Sequence, residues 1–223
     1  MKKTVKTADR GDQTRSALVQ AALAAFSEKG FHGVSTREIA GTAQVNQALI
    51  GYHFGNKEGL YLAVFAYLCE QIQSRVDPFA GQIEARLHAL QGKELPREES
   101  IALLLRLLEG LATLFTNPQS NPWAKLILSE QQSPTRAFDL LYERFMGRYM
   151  ALMVELTRRI RPQDDTEQLR LCVATILGQM LVFRAAPASI FRLLAWDSVN
   201  PQQLEAILRQ LRRNVRAVLD AQE

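Results

Sequence analysis

STREIAGTAQVNQALIGYHFGNKEGL, residues 35–60, is the stretch on which the fold turns. Ser35 and Glu38 stand at the S-x-x-E spacing of a capping box, so a helix is expected to begin after Ser35. Ile39, Ala40 and Ala43 give that helix a small apolar face. The turn falls at Gln44 and Val45. Asn46 is a good N-cap for a second short helix, Gln47 to Tyr52, because its side-chain oxygen can accept an orphan backbone N–H. Asn56 is placed to do the same for a third helix opening at Lys57. Two helices joined by about three or four residues form a helix-turn-helix, whose second helix enters the major groove of DNA. The competing reading is a helical hairpin inside a core. Gln, Asn, His and Lys on such short helices, beside a basic arm, count against it.

T-R-E-I-A at 36–40, A-x-V-N at 43–46 and Y-H-F-G-N-K-E-x-L at 52–60 follow one another at fixed spacing. In this order they resemble the DNA-binding head of the TetR family of transcriptional regulators, over residues 13–65. The chain departs from the family at Gln44, where the turn usually has Gly. It departs again at Gly51, often an aromatic, so one phosphate contact is expected to be missing. The resemblance implies that Gln47, Ala48 and Leu49 face base edges. Gln47 suits adenine N6 and N7, and Ala48 and Leu49 suit thymine methyls. Arg37 can reach guanine or a phosphate. Thr36, Tyr52, His53 and Lys57 are expected to hold the backbone, Lys57 beside a helix N-terminus that favours anions. Core positions are the alternative for Tyr52 and Phe54, and Phe54 is assigned there.

Composition sets the bounds. The 223 residues suffice for one or two domains, and a hydrophobic fraction of 47% suffices for a sizeable core. Much of the net charge of +4 sits at the start, where Lys2, Lys3, Lys6 and Arg10 face only Asp9. Residues 1–12 are therefore expected to be a flexible basic arm, either lying along phosphates or the minor groove or serving as a solubilising tail. Cys69 and Cys172 lie far apart in apolar helical surroundings, which fits free thiols in a reducing cytoplasm better than a disulfide framework. The start of the chain lacks the apolar segment of a secretory signal, and no transmembrane helix is expected.

Helical signals run through the rest, and no strand or repeat is evident. A first helix is expected from Gln13 to Lys29, with Leu18, Ala21, Ala22, Ala25 and Phe26 on one face, closed by Gly30. A fourth helix is expected from Lys57 to Val76, ended by Pro78, acting as a lever or as a rigid strut. Further helices are expected at 83–90, 98–115, 122–131, 135–161, 166–184, 187–196 and 200–221. An Asp164/Glu167 capping pattern opens the helix at 166, and Asn200 with Gln203 opens the last. Leu204, Leu208, Leu211, Val215 and Val218 form a heptad-like seam on the last helix. The fold class is all-α: a three-helix helix-turn-helix head at 13–60, then a helical ligand-binding and dimerisation domain at 61–223.

SEQQSPT at 129–135 and VFR at 182–184 resemble the carboxy-terminal domain of the CecR-like subgroup. That subgroup holds repressors tied to efflux and antibiotic response. A cavity for a small apolar or amphipathic ligand is expected, walled by Phe115, Trp123, Ile127, Phe138, Tyr142, Phe145, Met146 and Met180, with plain core as the alternative. Arg106, Glu109, Glu130, Gln179 and Arg184 are candidates to orient it. Arg106 with Glu109, and Glu130 with Arg184, are alternative structural pairs. His32, His53 and His88 are isolated from one another and from the cysteines, so no metal site is expected, and no catalytic or cofactor motif is evident. The expected function is a homodimeric, cytoplasmic repressor released from a near-palindromic operator by its ligand. The alternatives are a helical carrier or enzyme with an incidental head, and a regulator with no ligand.

Overall fold

The computed structural model describes residues 3–90, 93–117 and 121–221, with side chains from residue 11 onward apart from residue 121. Among the described residues, eleven α-helices follow in order: α1 (Lys3–Lys29), α2 (Thr36–Thr42), α3 (Ala48–Phe54), α4 (Lys57–Ala89), α5 (Arg97–Thr116), α6 (Asn121–Gln132), α7 (Arg136–Leu141), α8 (Gly147–Ile160), α9 (Thr166–Ala185), α10 (Pro187–Leu194) and α11 (Pro201–Asp220). A π-helical turn, Tyr142–Met146, joins α7 to α8. The described residues include no strand. The chain divides into two compact units, residues 1–71 with 121–144, and residues 72–120 with 145–223. The expected boundary at 60/61 is therefore not where the units divide, and α6 and α7 group with the head.

In the first unit, Leu18, Val19, Ala22, Leu23 and Phe26 of α1 are buried with Ile39, Ala40, Ile50, Leu60 and Phe65. Each Leu, Val, Ile or Phe side chain among them contributes about 1.5–3 kcal/mol on removal from water. The backbone of residues 3–12 is helical, so the first helix starts at Lys3 and not at the expected Gln13. No proline interrupts that run, and Gly11 costs a helix only about 1 kcal/mol. The side chains of residues 1–10, which carry the charges of the expected arm at 1–12, lie outside the described residues.

In the second unit, α5 is central and packs on α8, α9 and α11. Its buried residues, among them Ile101, Leu104, Leu105, Leu107, Leu108 and Leu111, cover more than one face. Pro78 does not end α4, which runs on to Ala89 and absorbs the helix expected at 83–90. Ile72, Val76, Ala80 and Ile83 keep an unbroken buried stripe at spacings of 4, 4 and 3, while Pro78 is exposed. Burial of that stripe outweighs a proline that costs a helix about 3 kcal/mol. The cap of α9 is Asp165 with Gln168, one residue later than expected, since Asp164 instead pairs with Arg161 at 2.5 Å. Asn200 and Gln203 form the capping box of α11 as expected. On α11 the buried stripe is Ile207, Leu211, Val215 and Leu219. Leu204, Leu208 and Val218 of the expected seam are only half-buried.

One described helix, Thr166–Ala185, is long and apolar enough to meet a length-and-hydropathy criterion for crossing a membrane. That qualifies the expectation from sequence that no stretch would. Its buried residues Leu169, Val173, Ile176 and Met180 face the core of its own unit.

Candidate nucleic-acid interface

The interface is built by caps. Ser35 Oγ accepts the N–H of Glu38 at 3.1 Å and starts α2. The box is half-formed, because the Glu38 carboxylate pairs with the Lys29 ammonium. The Lys29 bond holds the Glu38 carboxyl below its ordinary range, and Glu38 in turn raises Lys29. At the other end of α2, Val45 N–H donates to Ala40 O at 3.0 Å and Gln44 N–H to Gly41 O at 3.1 Å. That is a Schellman closure, and it needs its C′ residue in the left-handed region. Gln44 is that residue, at φ +56°. The turn adopts the usual geometry without the usual glycine.

Asn46 Oδ1 accepts the N–H of Ala48 at 2.8 Å and opens α3. Asn56 Oδ1 accepts the N–H of Gly59 at 2.8 Å and opens α4. Ile50 is the buried anchor of α3. Around it, Gln47, Ala48, Gly51 and Tyr52 are exposed, and Tyr52 is 82% exposed. Tyr52 is therefore not core. Leu49, beside them, is half-buried. A Cβ at Gly51 would meet nothing within 4 Å, so the outer face of α3 is open there.

The two helices are tied by polar atoms. Gln47 Nε2 donates to Thr36 Oγ1 at 2.9 Å, joining two of the candidate contact residues. Arg37 is exposed, and Thr36, His53 and Lys57 are half-buried. The Tyr52 and His53 rings meet edge-on at 5.0 Å. The Lys57 ammonium lies 4.7 Å from the centroid of Phe31, which fixes it near the start of α4. Arg15 on α1 stands 5.4 Å from the half-buried Phe54 ring. Sequence reasoning missed Arg15, since nothing local links positions 39 residues apart. The arrangement offers amide, hydroxyl and cationic donors around a short outward helix, the chemistry of groove and phosphate contact.

The eight expected cavity residues do not fall in one unit. Trp123, Ile127, Phe138 and Tyr142 belong to the first, and Phe115, Phe145, Met146 and Met180 to the second. Trp123, Phe145 and Met180 are buried, and Tyr142 is 46% exposed. The expected polar pairs are replaced by other partners. Arg106 donates to Gln82 at 3.0 Å, and Glu109 takes Arg212 at 2.5 Å. Glu130 accepts from Tyr61 and Thr135. Arg184, whose pKa burial lowers, donates to the carbonyls of Leu114 and Asn117 at the end of α5. Gln179 Oε1 is buried and has no hydrogen-bond partner among the described residues. Those residues hold no cluster of three or more His, Cys, Asp or Glu side chains suited to a metal ion.

Two short helices across a capped turn, the second turned outward, joined to an all-helical second unit, define a helix-turn-helix DNA-binding protein. Residues 18–64 match the family described as bacterial regulatory proteins, tetR family, and residues 98–222 match the C-terminal domain of the HTH-type transcriptional dual regulator CecR. CecR of Shigella flexneri is 34% identical over 203 residues, covering 89% of this chain and 87% of that protein. The chain belongs to the TetR family of bacterial transcriptional regulators, with the CecR type of C-terminal domain. It is a DNA-binding regulator and not an enzyme. Two solved structures share the fold. One is AibR in complex with isovaleryl coenzyme A and operator DNA, with a TM-score of 0.63 at 16% identity, over 91% of this chain and 97% of that one. The other is the fatty acid degradation regulator FadR from Bacillus halodurans, with a TM-score of 0.60 at 19% identity, over 93% and 95%.

Proposed function

We propose that the protein acts in the cytoplasm as a homodimeric repressor, reading a near-palindromic operator with α3 and leaving it when a small ligand binds. The observation that carries the DNA reading is the outward face of α3, where Gln47, Ala48 and Tyr52 are exposed around the buried anchor Ile50. Gln47 and Ala48 meet base edges, with Leu49 touching them from the flank. Thr36, Arg37, Tyr52, His53 and Lys57 hold phosphates, with Arg15 added from α1. The Gln47–Thr36 bond sets the amide in place before DNA arrives.

A second observation favours ligand control. The buried Gln179 oxygen lacks a donor among the described residues, and a buried acceptor left unpaired costs about 1–3 kcal/mol. A hydroxyl or N–H on an otherwise apolar ligand would satisfy it, with Phe115, Phe145, Met146 and Met180 of the same unit as apolar walls. In the structural neighbour AibR, solved in complex with isovaleryl coenzyme A and operator DNA, this fold serves both kinds of binding. By linkage, the ligand weakens DNA binding by the factor by which DNA weakens the ligand.

Fluorescence anisotropy with DNA from upstream of the protein's own gene tests the DNA reading. The double variant Gln47→Ala, Lys57→Ala should lose sequence preference, and loss of Lys57 should flatten the salt slope by about one unit. Unchanged binding by the double variant overturns the assignment.

A further inference from the structure

A hollow of about 680 Å³ opens within the first unit, away from the outward face of α3. Its lining includes the aromatic side chains Phe26, Phe31 and Tyr61 and the carboxylate of Glu130. Tyr61 meets Phe26 edge-on at 5.0 Å and Phe31 at 5.0 Å. Glu130 is only 3% exposed. Its Oε1 accepts the Tyr61 hydroxyl at 2.9 Å, and its Oε2 accepts the N–H and hydroxyl of Thr135 at 2.9 and 2.8 Å. All three donors are neutral. They fix the direction of the carboxylate without cancelling its charge, and Oε1 keeps acceptor capacity. Two cations on the rim are engaged elsewhere: Lys29 with Glu38, and Arg136 with Glu58 at 3.8 Å. Lys125 also lines the hollow, from an exposed position.

A buried carboxylate without a bonded cation gains most from a ligand that brings one. Aromatic faces attract the same charge, and Phe31 already holds the Lys57 ammonium. The volume lies within the range of small-molecule sites, roughly 300–1,000 Å³. We propose that this hollow is a binding site for an organic amine with an aromatic or aliphatic body, separate from the ligand site of the second unit. The ammonium bonds Glu130 and the body packs on Phe31 and Tyr61. Phe31 also seats Lys57, so occupancy of the hollow reaches a proposed phosphate contact and shifts DNA affinity.

The experiment is a calorimetric titration of the full chain with 1-naphthylmethylammonium and with 1-naphthylacetate, which share a body and differ in charge. The ammonium is expected to bind at least tenfold tighter, roughly a 1.4 kcal/mol preference. Glu130→Gln should remove that preference. Ser129→Trp, at an exposed position on the same hollow, should block both probes while leaving the Glu130 bonds alone, and it decides the matter if Glu130→Gln does not fold. Equal binding of the two probes by the unaltered protein overturns the proposal. So does undiminished ammonium binding by the Ser129→Trp variant.

Discussion

Gln44 shows how a single residue carries the turn of the head. It sits at φ +56°, where an L-residue other than Gly, Asn or Asp costs roughly 1–2 kcal/mol. Its side chain is exposed. Gln44→Gly should therefore stabilise the protein by about 1 kcal/mol, after the backbone entropy that glycine adds to the unfolded chain. For a chain of this size the thermal midpoint should rise by about 2–4 °C, and a calorimetric scan showing a fall would contradict the account. The glycine-to-glutamine departure was legible in sequence because a turn closure is local. The caps Ser35, Asn46 and Asn56 were legible for the same reason, each acting on a backbone N–H two or three residues away. The half-burial of Leu49 was not legible, because helical position follows from where the buried anchor points. In a helix of seven residues, the anchor Ile50 cannot be told from its neighbours by periodicity.

At the scale of elements, what escaped the sequence was pairing between distant helices. Arg148 near the start of α8 grips α4 on both sides of Pro78. Its Nε and Nη2 donate to the two Glu84 oxygens at 2.8 and 2.6 Å, and its Nη1 donates to Asp77 at 2.7 Å. The Tyr149 hydroxyl also donates to Asp77. Positions 64 and 71 residues apart leave no local pattern to read. The hydrogen bond from Arg148 is the main reason the Glu84 carboxyl lies below its ordinary range. A carboxyl depressed in the folded state contributes stability above its unfolded pKa, and that stability is lost as pH falls through the folded value. Arg148→Met should therefore destabilise at neutral pH, and its difference from the unaltered protein should shrink once pH drops below the carboxylate range. Urea unfolding at pH 7 and pH 3 checks this, and an equal difference at both pH values would remove the ion pair from the explanation. The pairs are half-exposed, so the effect is modest.

At the scale of the whole molecule, the unsatisfied feature is the outer side of α9 and α10. Leu171, Ala174, Gly178, Leu181 and Ala185 recur at spacings of 3, 4, 3 and 4, and all five are exposed. This stripe lies opposite the buried one, so the helix is apolar on two faces, and that is why it reaches the hydropathy of a membrane span. Leu193 on α10 adds to the outer surface at 78% exposure. A heptad-spaced stripe with small residues at its centre suits close packing against a second helix. Gly178 is informative here, because a Cβ placed on it would meet nothing within 4 Å, so nothing in its own chain calls for a glycine. A copy of the same helix crossing there would. We propose that α9, with α10 at its edge, forms a two-fold interface that sets the separation of two recognition helices, and hence the half-site spacing of the operator. The seam expected on α11 mostly serves its own unit, with Leu204, Leu208 and Val218 left at its margin. Gly178→Trp should leave helicity unchanged, since the chain itself has room for the side chain, and should prevent the close approach of two copies. Light scattering at micromolar concentration should then give the chain mass of 25.1 kDa in place of twice that, with a parallel loss of affinity for the full operator but not for a half-site. A monomer without any substitution, or a dimer that survives Gly178→Trp combined with Leu181→Asp, would place the interface elsewhere.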